Sequence, residues 1–407
     1  MICTRFLRPS VAALGFGTIP SMSSRAPPKA LLQDMVVPPR QLFGPGPSNM
    51  ADSIAESQSK SLLGHLHPEF VQIMGDVRLG LQYIFKTENK YTFAVSGTGH
   101  SGMECAMVNL LEPGDRFLVV EIGLWGQRTA DLANRMGIEV KKISAGHGQA
   151  VPVEDIRKAI ADYKPHLVFV CQGDSSTGVA QPLETIGDAC REHGALFLVD
   201  TVASLGGTPF AADDLKVDCV YSATQKVLNA PPGLAPISFS DRAIEKIRNR
   251  KQRVASFYFD AIELGNYWGC DGELKRYHHT APISTVYALR AALSAIAKEG
   301  IDESIQRHKD NAQVLYAALK KHGLEPFVEN EKIRLPCLTT IKVPEGVDWK
   351  EVAGKMLTNG VEIAGGLGAT VGKIWRVGTF GINSDKAKIE KVVELLATSI
   401  GEKRSKL

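Results

Sequence analysis

Three short stretches of this sequence carry residue types that can do chemistry. The first is Ser96-Gly97-Thr98-Gly99-His100-Ser101-Gly102, a G-x-G-x-x-G pattern. Glycines let backbone N–H groups approach an anion, and a helix N-terminus favours negative charge. The pattern follows a run expected to be a strand and opens one expected to be a helix. It therefore predicts a phosphate cradle, without saying whose phosphate. Glu121 ends the next expected strand, about where a ribose-binding acid stands in a dinucleotide-binding unit. A dinucleotide-dependent oxidoreductase is one open reading, and a tight turn without a ligand is another.

The second stretch is the apolar run Leu196-Phe197-Leu198-Val199, closed by Asp200. Ligands sit at the C-terminal edge of a parallel sheet. A carboxylate there wants a cationic partner. Taken alone, Asp200 is more simply a cap or turn residue. The third stretch is Val220-Tyr221-Ser222-Ala223-Thr224-Gln225-Lys226, followed by Asn229-Ala230-Pro231-Pro232-Gly233. Any lone lysine is by default solvated. The three together match one chemistry. Pyridoxal phosphate needs an anion cradle, an acid that keeps its pyridine nitrogen protonated, and a lysine for the Schiff base. A nicotinamide enzyme does not require the last two. His65-x-His67 and His278-His279 invite a metal reading, but no third or fourth ligand has suitable spacing, so no metal is expected.

These residues need a scaffold that brings strand ends together. From about residue 91 to 241, short apolar or β-branched runs alternate with helical patterns. Runs 92–95, 117–121, 167–171, 196–199 and 217–221 read as buried strands. Met103, Ala106, Met107, Leu110 and Leu111 share one helical face, which Glu112-Pro113-Gly114-Asp115 ends. The alternation predicts an α/β fold with a mainly parallel central sheet covered by helices. A helix with Val286, Leu289, Leu293 and Ile296 ends at Gly300, near the expected domain boundary. Beyond it come a helix near 305–319, a strand near 337–343, and helices before and after 365–376. The expected organisation is an N-terminal arm (1–38), a large domain (39–298) and a smaller α+β domain (299–407).

Composition narrows the classes. The chain has 407 residues, 44% hydrophobic and 22% charged, which is ordinary for a globular protein and excludes a mainly disordered chain. A formal charge of +3 gives no argument for nucleic acid or an acidic membrane surface. The apolar runs are too short to cross a bilayer. Seven cysteines lack metal-ligand spacing, so they read as small buried residues in a reducing compartment.

Several further stretches share one order and spacing. They are Gly44-Pro45-Gly46-Pro47-Ser48-Asn49, Trp125-Gly126-Gln127-Arg128, Gly173-Asp174-Ser175-Ser176-Thr177-Gly178, Asp200-Thr201-Val202-Ala203-Ser204-Leu205-Gly206-Gly207, Tyr277-His278-His279-Thr280 and Gly365-Gly366-Leu367-Gly368. With the cradle turn and Gln225-Lys226, they make nearly the whole chain, from about residue 27, resemble the alanine–glyoxylate aminotransferases. That family lies in the class V, fold-type I group of pyridoxal-phosphate enzymes. The resemblance implies ping-pong transamination: L-alanine or L-serine gives its nitrogen and leaves as pyruvate or hydroxypyruvate, and glyoxylate leaves as glycine. It implies that Lys226 binds the cofactor aldehyde and then moves the substrate α-proton, and that Asp200 pairs with the pyridine nitrogen. Thr98, Gly99 and His100 would cradle the phosphate, with Gln225 as a side-chain donor. Trp125 would stack on the ring, and Val202 would line the cofactor site. Ser175 would bond the cofactor and stand at the substrate, with Ser176 and Thr177 beside it in the same polar loop. Arg376 would grip the substrate carboxylate, with Gly46 nearby. Tyr277 and Thr280 would reach the phosphate of a partner subunit, so a homodimer with shared sites is implied. Related enzymes acting on 3-hydroxykynurenine are the alternative. A cysteine desulfurase would need a catalytic cysteine on a mobile loop, whereas Cys337 reads as a strand entry.

The ends carry possible addresses. Residues 1–33 hold no acid but contain Arg5, Arg8, Arg25, Lys29 and four serines, the composition of a mitochondrial presequence. A flexible arm with no address is the plainer alternative. The other end, Ser405-Lys406-Leu407, matches the signal read by the peroxisomal import receptor. The expected location is the peroxisome, with a mitochondrial form selected by starting at Met1 rather than Met22. An apolar helical face of Ile389, Val392, Val393, Leu396 and Ile400 precedes Gly401, which is expected to end the helix and release the tail.

Overall fold

The apolar runs become strands of one sheet in a computed structural model that describes residues 26–404. In chain order these are β1 (Tyr91–Ser96), β2 (Arg116–Glu121), β3 (Glu139–Ser144), β4 (Leu167–Cys171), β5 (Leu196–Asp200), β6 (Cys219–Tyr221) and β7 (Leu234–Phe239). They lie in the order β1-β7-β6-β5-β4-β2-β3. The β3-β2-β4-β5-β6 pairings are parallel, and β7 runs antiparallel to both β1 and β6.

Two strands have no counterpart among the expected runs. β3 is an edge strand whose sequence, Glu-Val-Lys-Lys-Ile-Ser, leaves most side chains to solvent, so it carries no apolar run. β7 contains Pro236, which normally argues against a central strand. Here β6 ends at Tyr221, opposite Ile237, so the missing N–H of Pro236 falls beyond the paired segment. The Pro236 carbonyl still accepts from Ser222 N–H at 2.8 Å.

Helices cover the sheet. They include α1 (Pro68–Phe85), α2 (Gly99–Leu110), α3 (Leu124–Arg135) and α4 (Ile283–Glu299), whereas α5 (Ile301–Lys321), α6 (Trp349–Thr358) and α7 (Lys386–Arg404) bury side chains in a second core. The apolar face expected from Met103 to Leu111 is buried throughout. Gly300, with φ +94°, separates α4 from α5. Beyond it, a three-stranded antiparallel sheet forms from β8 (Leu338–Lys342), β9 (Ala364–Gly365) and β10 (Ile374–Gly378), ordered β8-β10-β9. It encloses a second core that includes Leu319, Met356, Trp375 and Leu396. Phe43 joins this core, because Gln41–Leu42 pairs in parallel with Val361–Glu362.

The expected face of α7 is buried, but Gly401 does not end it: the helix continues to Arg404. A glycine near a helix end costs only about 1 kcal/mol against alanine, and α7 carries the chain past it. Residues 26–39 form a separate unit, exposed throughout, with one 3-10 turn at Lys29–Leu32. The presequence-like residues 1–25 and Ser405-Lys406-Leu407 lie outside the described residues. Among the described residues, no helix is long and apolar enough to cross a membrane.

Candidate active site

Parallel strands all end at one edge, so residues far apart in sequence meet there. β1 delivers the glycine turn, β5 delivers Asp200, and β6 leads to Gln225 and Lys226. A cavity of about 80 Å³ opens between them. Thr98, Gly99, His100, Trp125, Asp200, Val202, Gln225 and Lys226 line it, together with Met103 and Tyr221.

Each glycine of the first motif has a spatial reason. Gly97 has φ +147°, a conformation that side chains disfavour. A Cβ on Gly99 would meet Ala223 at 3.2 Å and Val202 at 3.3 Å. One on Gly102 would press on Ala235 and Tyr221 at 3.1 and 3.2 Å, so this glycine seats α2 on the sheet. The first N–H groups of α2 have no partner within the helix and carry its positive end. An anion in the cavity would satisfy both needs. The side-chain oxygen of Gln225 is buried without a partner. With the amide turned over, an N–H donor would face an anion at the turn.

Asp200 is almost fully buried. One oxygen accepts from the Val202 N–H at 2.7 Å, and the other accepts from the Tyr221 hydroxyl at 2.7 Å. Burial raises its pKa to about 6, against the lowering effect of those two hydrogen bonds. Such an acid is stabilised in its charged form by a cation placed next to it. Lys226 is also buried, and its Nζ donates to the Pro45 carbonyl. Burial, reinforced by the positive charge of Arg376, lowers its pKa to about 8. A lysine of that kind is available as a neutral amine near physiological pH. Gly46 lies against it, since a Cβ there would approach Lys226 Cδ to 2.7 Å.

Arg376 rises from β10 and is buried. Its Nε donates to the Gly365 carbonyl at 2.7 Å, and its Nη1 donates to the Ser175 carbonyl at 3.2 Å. Burial lowers its pKa to about 10, so it stays a cation at neutral pH. The Ser175 hydroxyl in turn accepts from Trp125 Nε1 at 2.9 Å. Ser175 thus connects the arginine to the tryptophan at the cavity wall.

Tyr277 and Thr280 stand apart: both are exposed, and neither lines this cavity. Tyr221 and Asp174 emerged only from the fold. Tyr221 lies beside Asp200 through β5–β6 register. Asp174, fully buried, accepts from the Ser176 N–H at 2.8 Å and from the Trp125 N–H at 3.3 Å, which anchors the start of α3. The bracketing of Asp174 by glycine, serine and threonine was a visible turn signal, but nothing in it pointed to Trp125. Two rival features have other partners. Glu121 pairs with Lys142 at 3.0 Å. Cys337 is buried, its thiol donates to the Ala203 carbonyl at 2.8 Å, and burial pushes its pKa up to about 12.

The residues therefore fit a phosphate-bearing cationic ring whose aldehyde meets a lysine. Residues 51–392 match the family model described as Aminotransferase class-V. The alanine–glyoxylate aminotransferase of Drosophila melanogaster is 45% identical over 92% of this chain and 95% of its own. That of Felis catus is 44% identical over 92% and 91%. The crystal structure of alanine–glyoxylate aminotransferase from Nostoc sp. superposes with a TM-score of 0.88 at 43% identity, covering 90% of this chain and 97% of that one. A buried lysine, a buried acid and a phosphate-ready turn around one cavity, in a chain matched along most of its length, show that it belongs to the class V aminotransferases and is a pyridoxal-phosphate-dependent transaminase.

Proposed function

We propose that the chain moves the amino group of L-alanine, or L-serine, to glyoxylate, giving pyruvate or hydroxypyruvate and glycine. The observation that carries this reading is Lys226, buried with a lowered pKa, sharing one cavity with Asp200. The cofactor, when bound, supplies an electron sink for the charge left by α-proton removal. This chain's residues do the rest. The Gly99 and His100 N–H groups and Gln225 would hold the phosphate, and Trp125 would pack against the ring. Asp200 would hold the proton on the pyridine nitrogen, and Tyr221 and Val202 fix its two oxygens. Arg376 binds the substrate carboxylate by a two-pronged contact. As a neutral amine, Lys226 would take the proton from the α-carbon of the amino donor and pass it to the cofactor's C4′ carbon, and would run the same transfer in reverse onto the α-carbon that becomes glycine.

The names of the relatives support the substrates. The insect relative, at 45% identity, is itself called alanine–glyoxylate aminotransferase, so the 3-hydroxykynurenine alternative is not favoured. The test is the visible absorption spectrum of the purified protein. L-Alanine is expected to bleach its yellow band and glyoxylate to restore it. A band indifferent to alanine but bleached by 3-hydroxykynurenine overturns the substrate, and a protein that stays colourless with pyridoxal phosphate overturns the site.

A homodimer is part of the same proposal. Tyr277 and Thr280 would complete the phosphate site of a second copy, and their exposure away from their own cavity supports this. Delivery to peroxisomes, with a mitochondrial form, rests on the terminal motifs alone. Deleting Leu407 from a chain with a fluorescent protein at its N-terminus is expected to turn punctate fluorescence diffuse, and diffuse fluorescence before deletion would sink the idea.

A further inference from the structure

The histidine pair at 278–279 has no role in the chemistry above. Among the described residues, no group of His, Cys, Asp and Glu side chains is placed to hold a metal ion. The pair instead forms a chain of hydrogen bonds ending on the glycine turn. His278 Nε2 lies 3.0 Å from the Phe257 carbonyl, His278 Nδ1 lies 2.7 Å from His279 Nδ1, and His279 Nε2 lies 2.6 Å from Ser96 Oγ.

With both rings neutral, the protons in this chain have one arrangement. The Phe257 carbonyl can only accept, so His278 carries its proton on Nε2 and presents Nδ1 as an acceptor. His279 must then carry its proton on Nδ1, which leaves Nε2 as an acceptor. The Ser96 hydroxyl therefore donates to His279. Neutrality suits the surroundings. His279 is flanked by His278 and His65, and the rings of Tyr258 and Tyr267 lie 5.3 Å away. Burial and the two neighbouring histidines lower its pKa to about 4.

Ser96 is the last residue of β1 and the first of the phosphate turn. Its carbonyl accepts from the Tyr258 hydroxyl at 3.2 Å, and the next N–H, of Gly97, donates to Gly233 at 2.9 Å. The Ser96 side chain is held by His279, which is itself held at its far side by His278. We infer that His279, oriented by His278, is a positioning residue that fixes the entry of the phosphate turn through the Ser96 hydroxyl and thereby sets cofactor affinity. This inference rests on the phosphate-cradle reading of the turn.

Two amide substitutions separate the two ends of the relay. In His279→Gln, the side-chain oxygen reaches about as far as Nε2 and still accepts from Ser96. In His279→Asn, the amide stands near the position of Nδ1 and reaches His278 but not Ser96. The full chain, stripped of cofactor, is titrated with pyridoxal phosphate, and the bound phosphate is followed by ³¹P NMR. Wild type and His279→Gln are expected to bind alike, with the same ³¹P resonance. His279→Asn is expected to bind roughly tenfold more weakly, with a displaced resonance, the effect of losing one hydrogen bond. Ser96→Ala, which leaves both rings in place, is expected to match His279→Asn and serves if that variant does not fold. Wild-type affinity in His279→Asn or Ser96→Ala overturns the inference, as does a loss in His279→Gln equal to that in His279→Asn. Failure of the wild type to bind at all overturns the cradle reading instead.

Discussion

Lys226 and Arg376 show how burial makes reagents of ordinary side chains. An exposed lysine is protonated far above neutrality, whereas Lys226 gives up its proton near pH 8. Since the neutral amine captures an aldehyde, attachment of pyridoxal phosphate to the stripped protein is expected to speed up about tenfold per pH unit below about 8 and to level off above it. Stopped-flow absorbance checks this, and a rate still climbing at pH 10 would mean that Lys226 behaves as a solvated lysine. Arg376 holds its guanidinium by two carbonyls, leaving its fork pre-aimed. Arg376→Lys keeps the charge but loses the fork. Its KM for L-alanine is expected to rise about 10- to 100-fold, the value of a charge-assisted hydrogen bond. An unchanged KM would place the carboxylate elsewhere.

Among the elements, α5 is locked to the following chain by a buried histidine. His308 Nδ1 donates to the Ser304 carbonyl at 2.7 Å, and its Nε2 accepts from the Gly381 N–H at 3.0 Å. That arrangement needs a neutral ring. Burial, with the charge of Arg307, lowers the pKa to about 4, below the unfolded value near 6.5. The unfolded chain therefore binds more protons in this window. Stability from His308 is present above pH 6.5 and is lost as the pH falls towards 4. The loss is about 3 kcal/mol. Denaturant titrations at pH 7 and pH 5 are expected to show a flatter acid slope for His308→Gln than for wild type. Identical slopes would assign the acid loss to other groups.

For the whole molecule, exposed apolar side chains support the proposed dimer. Leu274 is 90% exposed, Phe257 63% and Tyr277 60%. Phe257 stacks on His278 with ring centroids 4.8 Å apart, and Tyr277 meets His65 edge-on at 5.4 Å. Exposed aromatic side chains held in fixed orientations suit an interface better than solvent. Light scattering is expected to give twice the chain mass. Dilution to the single-chain mass is expected to weaken cofactor binding in step, because Tyr277 and Thr280 then have no second site to complete. A single chain with full cofactor affinity would refute the shared site.

Much of this was legible without coordinates, because local rules govern it. Apolar runs marked β1, β2, β4, β5 and β6, the spacing of Met103, Ala106 and Leu110 marked α2, and glycine, acid and lysine marked the cavity in chain order. Those features depend on neighbours a few residues away. β3 and β7 were not legible, since an edge strand needs no apolar run and a proline is tolerated only where the adjoining strand stops. The extent of α7 past Gly401 was likewise decided by the helix as a whole. The contacts that tune the site span long stretches of chain: Tyr221 with Asp200, Ser175 with Arg376, and Ser96 with His279. Strand register decides the first and side-chain packing the others, so residue type alone cannot specify them. The sequence by itself determined which residues could do the chemistry. The tertiary structure decided which neighbours bury them, orient them and set their protonation, because hydrogen bonding and desolvation act through space.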